Sequence, residues 1–117
     1  MAPRGREVDP AEMKSQWPAT AQALLRSRFQ AFHQGDAQWL LQSWHPSTRP
    51  DDVDLSDNPT WRGLQILDVV GGGTTDEQGI VEFRATYLRP TGGVDVLRER
   101  SRFVRDDGRW YYLEALG

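Results

Sequence analysis

The chain has 117 residues, a formal charge of −3 and no cysteine. That length supports one hydrophobic core without covalent staples, and the missing thiols exclude disulfides and thiolate metal sites. The acidic balance argues against a nucleic-acid binder, which needs a net basic face to neutralise phosphates.

No apolar run approaches the roughly 20 residues that span a bilayer, and residues 1–6 precede no apolar leader segment. The expectation is a cytoplasmic protein without a membrane partner. Five Trp, three Tyr and four Phe form a heavy aromatic load for a core of this size.

Residues 1–18 carry Pro3, Gly5, Pro10 and Pro18 among polar and charged side chains. They bury too little apolar surface to offset their ordering entropy. They read as a flexible N-terminal arm, with Met13 and Trp17 able to pack back, and residues 19–117 read as a single domain. From Thr20 the period turns helical: Ala21, Leu24, Leu25, Arg28 and Phe32 share one face. Thr20 is the expected N-cap and Gly35 the expected C-terminal stop. Arg28 interrupts the apolar face and carries its charge toward whatever the helix covers. Asp36 caps a second, shorter helix with Trp39, Leu40, Ser43 and Trp44 inward, and Pro46 ends it.

Asp51 to Asn58 is an acidic loop whose spacing lacks the glycine and the glutamate of a calcium loop. A meander of strands follows, over Leu64–Val70, Gly79–Leu88, Val94–Arg105 and Arg109–Leu113. Thr91-Gly92-Gly93 and Asp107-Gly108 supply the positive-φ turn positions. Folding the middle strands about Gly92 sets Val81 opposite Phe103, Phe83 opposite Ser101, Ala85 opposite Glu99 and Tyr87 opposite Leu97. The other face then pairs Glu82 with Arg102 and gathers Arg84, Arg98 and Arg100. Trp110 and Tyr112 join the inner face.

This pattern puts one carboxylate, Glu99, on the inner face beside Ser101, and an inward carboxylate must pair, hydrogen-bond or take up a proton. Its candidate partners are Arg28, Arg26, His45 and Arg49. Two readings are open. One is a cavity with Glu99 as base or ligand anchor and His45 as acid–base companion. The other is a buried Arg28–Glu99 ion pair that fixes the first helix on the sheet. Trp44, Trp61, Trp110 and Tyr112 fit either a core or a ligand platform. The segment Trp44-His45-Pro46-Ser47-Thr48-Arg49 forms the rim. Two distant histidines and no thiolate give no metal site, and no sequence feature calls for a cofactor. On the outer face, Arg84, Arg98, Arg100 and Arg102 beside Glu82 suit a solvated surface or a dimer contact more than nucleic acid.

Thr20-Ala21 through Leu24, Arg26-Ser27-Arg28-Phe29, Ala31-Phe32, Trp44 to Arg49, Trp61 with Gly63-Leu64, Val81-Glu82-Phe83, Glu99 to Phe103 and Gly108 to Tyr112 together resemble the YchJ family of bacterial proteins, the UPF0225 group. The likeness covers residues 19–114. It implies an NTF2-like, cystatin-like α+β cone, with N-terminal helices packed on a curved antiparallel sheet and often a pocket between them. Family members usually carry a cysteine-rich SEC-C zinc motif beside this domain. Residues 1–18 stand in its place here, so neither zinc nor docking through that motif carries over.

NTF2-like domains include isomerases, dehydratases, hydrolases and non-catalytic binding modules, and the fold does not choose among them. The leading expectation is a small-ligand-binding or interaction module, its cavity drawn from Arg28, Trp44, His45, Arg49, Trp61, Glu99, Ser101, Trp110 and Tyr112. The alternative is a small enzyme transferring protons through Glu99 with His45. A third is an adaptor, or a homodimer formed through the sheet.

Overall fold

In the computed structural model, which describes residues 17–117, two helices lie across one face of a four-stranded antiparallel sheet. Helix α1 spans Ala21–Gln34. Thr20 is extended at its start and its hydroxyl accepts the Ala23 N–H at 3.1 Å, satisfying one of the free donors of the first turn. Gly35, with φ of 75°, ends it in a left-handed conformation that a side chain would disfavour. Helix α2 spans Ala37–Gln42, and Asp36 caps it through the Trp39 N–H at 3.1 Å. The chain then runs alongside the sheet: the Tyr112 N–H donates to Ser43 O and the His45 N–H to Tyr112 O, both at 2.8 Å.

The strands are β1 (Thr60–Gly71), β2 (Gln78–Leu88), β3 (Val94–Asp106) and β4 (Arg109–Ala115), hydrogen-bonded in that order. β1 begins four residues earlier than its hydrophobic pattern suggests. Gly63 looks like a strand breaker but follows a bulge, with Trp61 opposite Tyr87 and Gly63 opposite Thr86. A second irregularity falls between Ile66 and Asp68. Such bulges bend a strand and help the sheet curve around the helices.

The pairing of β2 with β3 differs from the expected one by two residues: Val81 faces Ser101, Phe83 faces Glu99, Ala85 faces Leu97 and Tyr87 faces Asp95. The connecting loop is centred on Thr91 instead of Gly92, closed by the Arg89 N–H to Gly93 O at 3.0 Å and the Gly92 N–H to Arg89 O at 2.9 Å. A slip of two leaves every side chain on its expected face and changes only its partner. Glu82 therefore faces Arg100, not Arg102. At the next turn Asp107 and Gly108 both have positive φ, 53° and 81°, as a two-residue hairpin loop requires.

The core joins Leu24, Leu25, Val81, Phe83, Phe103 and Trp110. Two glycines bring α1 onto the sheet. Ala21 N–H donates to Gly72 O at 2.9 Å, and a Cβ added at Gly79 would lie 2.6 Å from the Gly72 Cα. Trp17 packs edge-on against Trp39 and donates through Nε1 to Trp110 O at 2.9 Å. The expected mobile arm otherwise falls at residues 1–16, outside the described residues.

Candidate functional site

Between α1 and the concave face of the sheet lies a cavity of about 170 Å³. Helix α1 contributes Leu25, Arg28, Phe29 and Phe32, a spacing of three, four and seven that keeps them on one stripe. The sheet contributes Phe83 and Ala85 from β2, Leu97, Glu99 and Ser101 from β3, and Tyr112 from β4, while Trp44 and Trp61 close the sides. Alternation along β3 turns Leu97, Glu99 and Ser101 inward and leaves Arg98 and Arg100 outside. Trp61 is held by Asn58, which accepts the indole N–H at 2.9 Å and donates to Phe32 O at 2.8 Å.

Arg28 is 5% exposed. Its Nη1 donates to Leu40 O at 2.9 Å and to Ser43 Oγ at 2.7 Å. The guanidinium carbon stands 4.5 Å from the Tyr112 ring centre and 5.4 Å from that of Trp44. The expected Arg28–Glu99 ion pair does not form among the described residues. Arg28 turns instead toward the end of α2, where the Leu40 carbonyl needs a donor. Glu99 is only half-buried and accepts the Ser101 hydroxyl, its neighbour two residues along the same face, at 2.7 Å. Burial pulls the Arg28 guanidinium down to about 10, opposed by the Glu99 charge. It is still a cation at neutral pH. Burial, and then the Glu99 charge, push the Tyr112 phenol up to about 12, with Arg28 acting the other way.

His45 does not meet Glu99. Its Nδ1 accepts the Ser47 backbone N–H at 3.1 Å and lies 2.7 Å from Ser47 Oγ. That nitrogen therefore carries no proton, and Nε2–H donates to Asp106 Oδ2 at 2.8 Å. The ring stands edge-on to Tyr111, the neighbour of Tyr112 on the opposite side of β4. Arg49 also lies outside the cavity, its Nε donating to Trp44 O at 2.9 Å. Trp110 is 1% exposed and gives its indole N–H to Ala19 O at 3.1 Å. Six of the nine expected residues thus line one cavity and three support it from outside. Leu25, Phe29, Phe32, Phe83, Ala85 and Leu97 were not among the expected lining. Their inward periodicity was readable, but nothing in it shows that the curved sheet stops short of the helix there.

A curved antiparallel sheet with helices across its concave face defines an NTF2-like domain. The family model of the YchJ middle NTF2-like domain matches residues 20–115, and the chain belongs to this family. A UPF0225 protein of Streptomyces coelicolor is 52% identical over 96 residues, covering 82% of this chain and 73% of the relative. One from Xanthomonas oryzae is 42% identical across 97% of this chain and 92% of the relative. Among solved structures, a SEC-C motif containing protein from Rhodopseudomonas palustris superposes with a TM-score of 0.75 at 28% identity, over 91% of this chain and 84% of that one. A second, from Psychrobacter arcticus, has a TM-score of 0.65 at 24% identity, over 81% and 59%, and shows the fold alone. Among the described residues no helix is long and apolar enough to cross a membrane.

Proposed function

We propose that residues 19–117 form a cytoplasmic binding module for one small molecule, held between α1 and the sheet. One observation carries this reading: Arg28, a buried cation whose hydrogen-bond partners among the described residues are all neutral, faces a cavity whose other walls are largely apolar. Pockets that combine aromatic walls with a few convergent polar groups are the usual sites for small ligands. A volume of about 170 Å³ suits a single substituted ring, since a cavity of roughly 150 Å³ accepts benzene. Arg28, Glu99, Ser101 and Tyr112 supply the polar contacts in this reading, and Trp44 and Trp61 the flat walls. His45, Arg49 and Trp110 act by holding those walls in place.

The enzyme reading is less favoured. Both ring nitrogens of His45 are engaged by Ser47 and Asp106, so Glu99 has no imidazole companion in the cavity. A homodimer through the outer sheet face is also less favoured, because Arg98 and Arg100 already pair with Glu82 and Asp68 of their own sheet.

The test is an NMR titration with benzoate, benzamide, benzyl alcohol and benzylamine on the wild type and on Ala85→Leu, which fills the cavity. Shift changes centred on Phe29, Phe83 and Ser101 that vanish in the filled variant are expected. Binding that survives the filling, or no binding by any one-ring compound, rejects the proposal.

A further inference from the structure

We infer that the ligand is a small aromatic monoanion, an acid whose carboxylate meets Arg28 and whose ring carries a hydrogen-bond donor for Glu99; this rests on the binding role proposed above. Arg28 uses Nη1 for both of its hydrogen bonds, and among the described residues Nε and Nη2 take no partner. A cation removed from water loses several kcal/mol of hydration, and only good pairing repays it. A carbonyl, a hydroxyl and two ring faces do so in part. The planar fork left over matches a carboxylate, which it can grip through two parallel hydrogen bonds.

Glu99 is the second charged group of the cavity. A carboxylate accepts and cannot donate, and among the described residues only its Oε2 is taken, by the Ser101 hydroxyl. A ligand group reaching it must bring its own proton. Repulsion between Glu99 and an anionic ligand is the smaller effect. The Coulomb energy of two charges falls in inverse proportion to their separation and to the local dielectric. Arg28 would be in contact with the ligand carboxylate, whereas Glu99 meets only the ring substituent and is partly open to screening water. A cationic ligand fits worse: it would share this small cavity with the Arg28 charge, and Trp44 and Tyr112 already hold that guanidinium. Of the titratable groups facing the cavity, Arg28 is charged up to about pH 10 and Tyr112 neutral up to about 12. The acid therefore meets an unchanged cation throughout the neutral range.

The test is calorimetric titration of the whole chain with 4-hydroxybenzoate, benzoate, 4-hydroxybenzamide and tyramine. The expected order is 4-hydroxybenzoate first, benzoate weaker by several fold, 4-hydroxybenzamide weaker by about tenfold or more, and tyramine without binding. Arg28→Met should remove the preference for acid over amide, Arg28→Lys should restore part of it, and Glu99→Leu should remove the preference for the hydroxylated acid. If 4-hydroxybenzamide or tyramine binds as tightly as 4-hydroxybenzoate, the site stands and the anion assignment is wrong. If none of the four binds, the site reading itself has failed. Should Arg28→Met not fold, the order of the four compounds on the wild type still decides.

Discussion

The two faces of the sheet hold arginines in opposite circumstances. On the outer face Arg98 and Arg100 converge on Glu82, at 2.6 and 3.0 Å, and Arg100 also reaches Asp68 at 3.1 Å. On the inner side Arg28 meets a carbonyl, a hydroxyl and two aromatic rings, and among the described residues no carboxylate. The outer charges have water as an alternative partner, so their pairing contributes little and salt weakens it. Arg28, 5% exposed, has far less water to turn to. A charge kept where it is costly, within the field of Glu99 but in contact with no carboxylate among the described residues, is the more informative of the two.

The largest effect should come from the core beneath the inner face. Phe103 is fully buried, and Phe103→Ala should cost about 3 to 5 kcal/mol in urea unfolding. A loss below about 1 kcal/mol would mean that the packing around the cavity is loose, and the contrast between the faces would blur. Arg28→Met comes next. It leaves the buried Leu40 carbonyl with only the long Ser43 hydroxyl contact at 3.5 Å among the described residues but relieves the desolvation of a charge, for a net loss of about 1 to 3 kcal/mol. Unchanged or higher stability would show that Arg28 is a burden to the fold, which strengthens its assignment to a ligand.

High pH tests the same residue against its neighbour. The folded state binds the Arg28 proton less tightly than the unfolded chain, so its contribution to stability rises with pH above about 10. The folded state holds the Tyr112 proton up to about 12, so its contribution falls between the ordinary tyrosine value and that point. The two oppose each other. Tyr112→Phe removes the falling part, and its stability relative to the wild type should grow from pH 10 to 12 in denaturant titrations. A constant difference across that window would contradict the burial of the phenol.

The smallest effect belongs to the outer face. Hydrogen bonds from Arg98 and Arg100 hold the Glu82 carboxyl below the usual range, so its contribution is present at neutral pH and is lost as pH falls through the acid range. Glu82→Gln should lower the thermal midpoint slightly in dilute buffer and leave no difference in about 1 M salt. A large shift that persists in salt would mean that the outer network is structural after all.

Much of this contrast was legible from local chemistry. Thr20, Gly35 and Asp36 act as the helix ends their side chains suggest, because caps depend on neighbours within a turn. Strand parity placed Glu99 and Ser101 inside and Arg98 and Arg100 outside, since alternation is a property of the backbone alone. The register of β2 on β3 was displaced by two, because a Gly-rich loop offers more than one centre of symmetry and a slip of two preserves the hydrophobic face. The segment Trp44 to Arg49 divides between the cavity and its surroundings. Trp44 is a cavity wall, while His45 and Arg49, one and five residues on, bond to Asp106 and to the Trp44 carbonyl.

By itself, then, the sequence determined the elements, both ends of α1, the inward faces of β2, β3 and β4 and the family, because short-range geometry and periodicity carry all of these. The tertiary structure alone decided that Arg28 caps α2 instead of meeting Glu99, that His45 faces Tyr111 and not the cavity, and that a space remains between them. Those outcomes depend on where a curved sheet parts from a helix, a distance summed over many residues that no local pattern records.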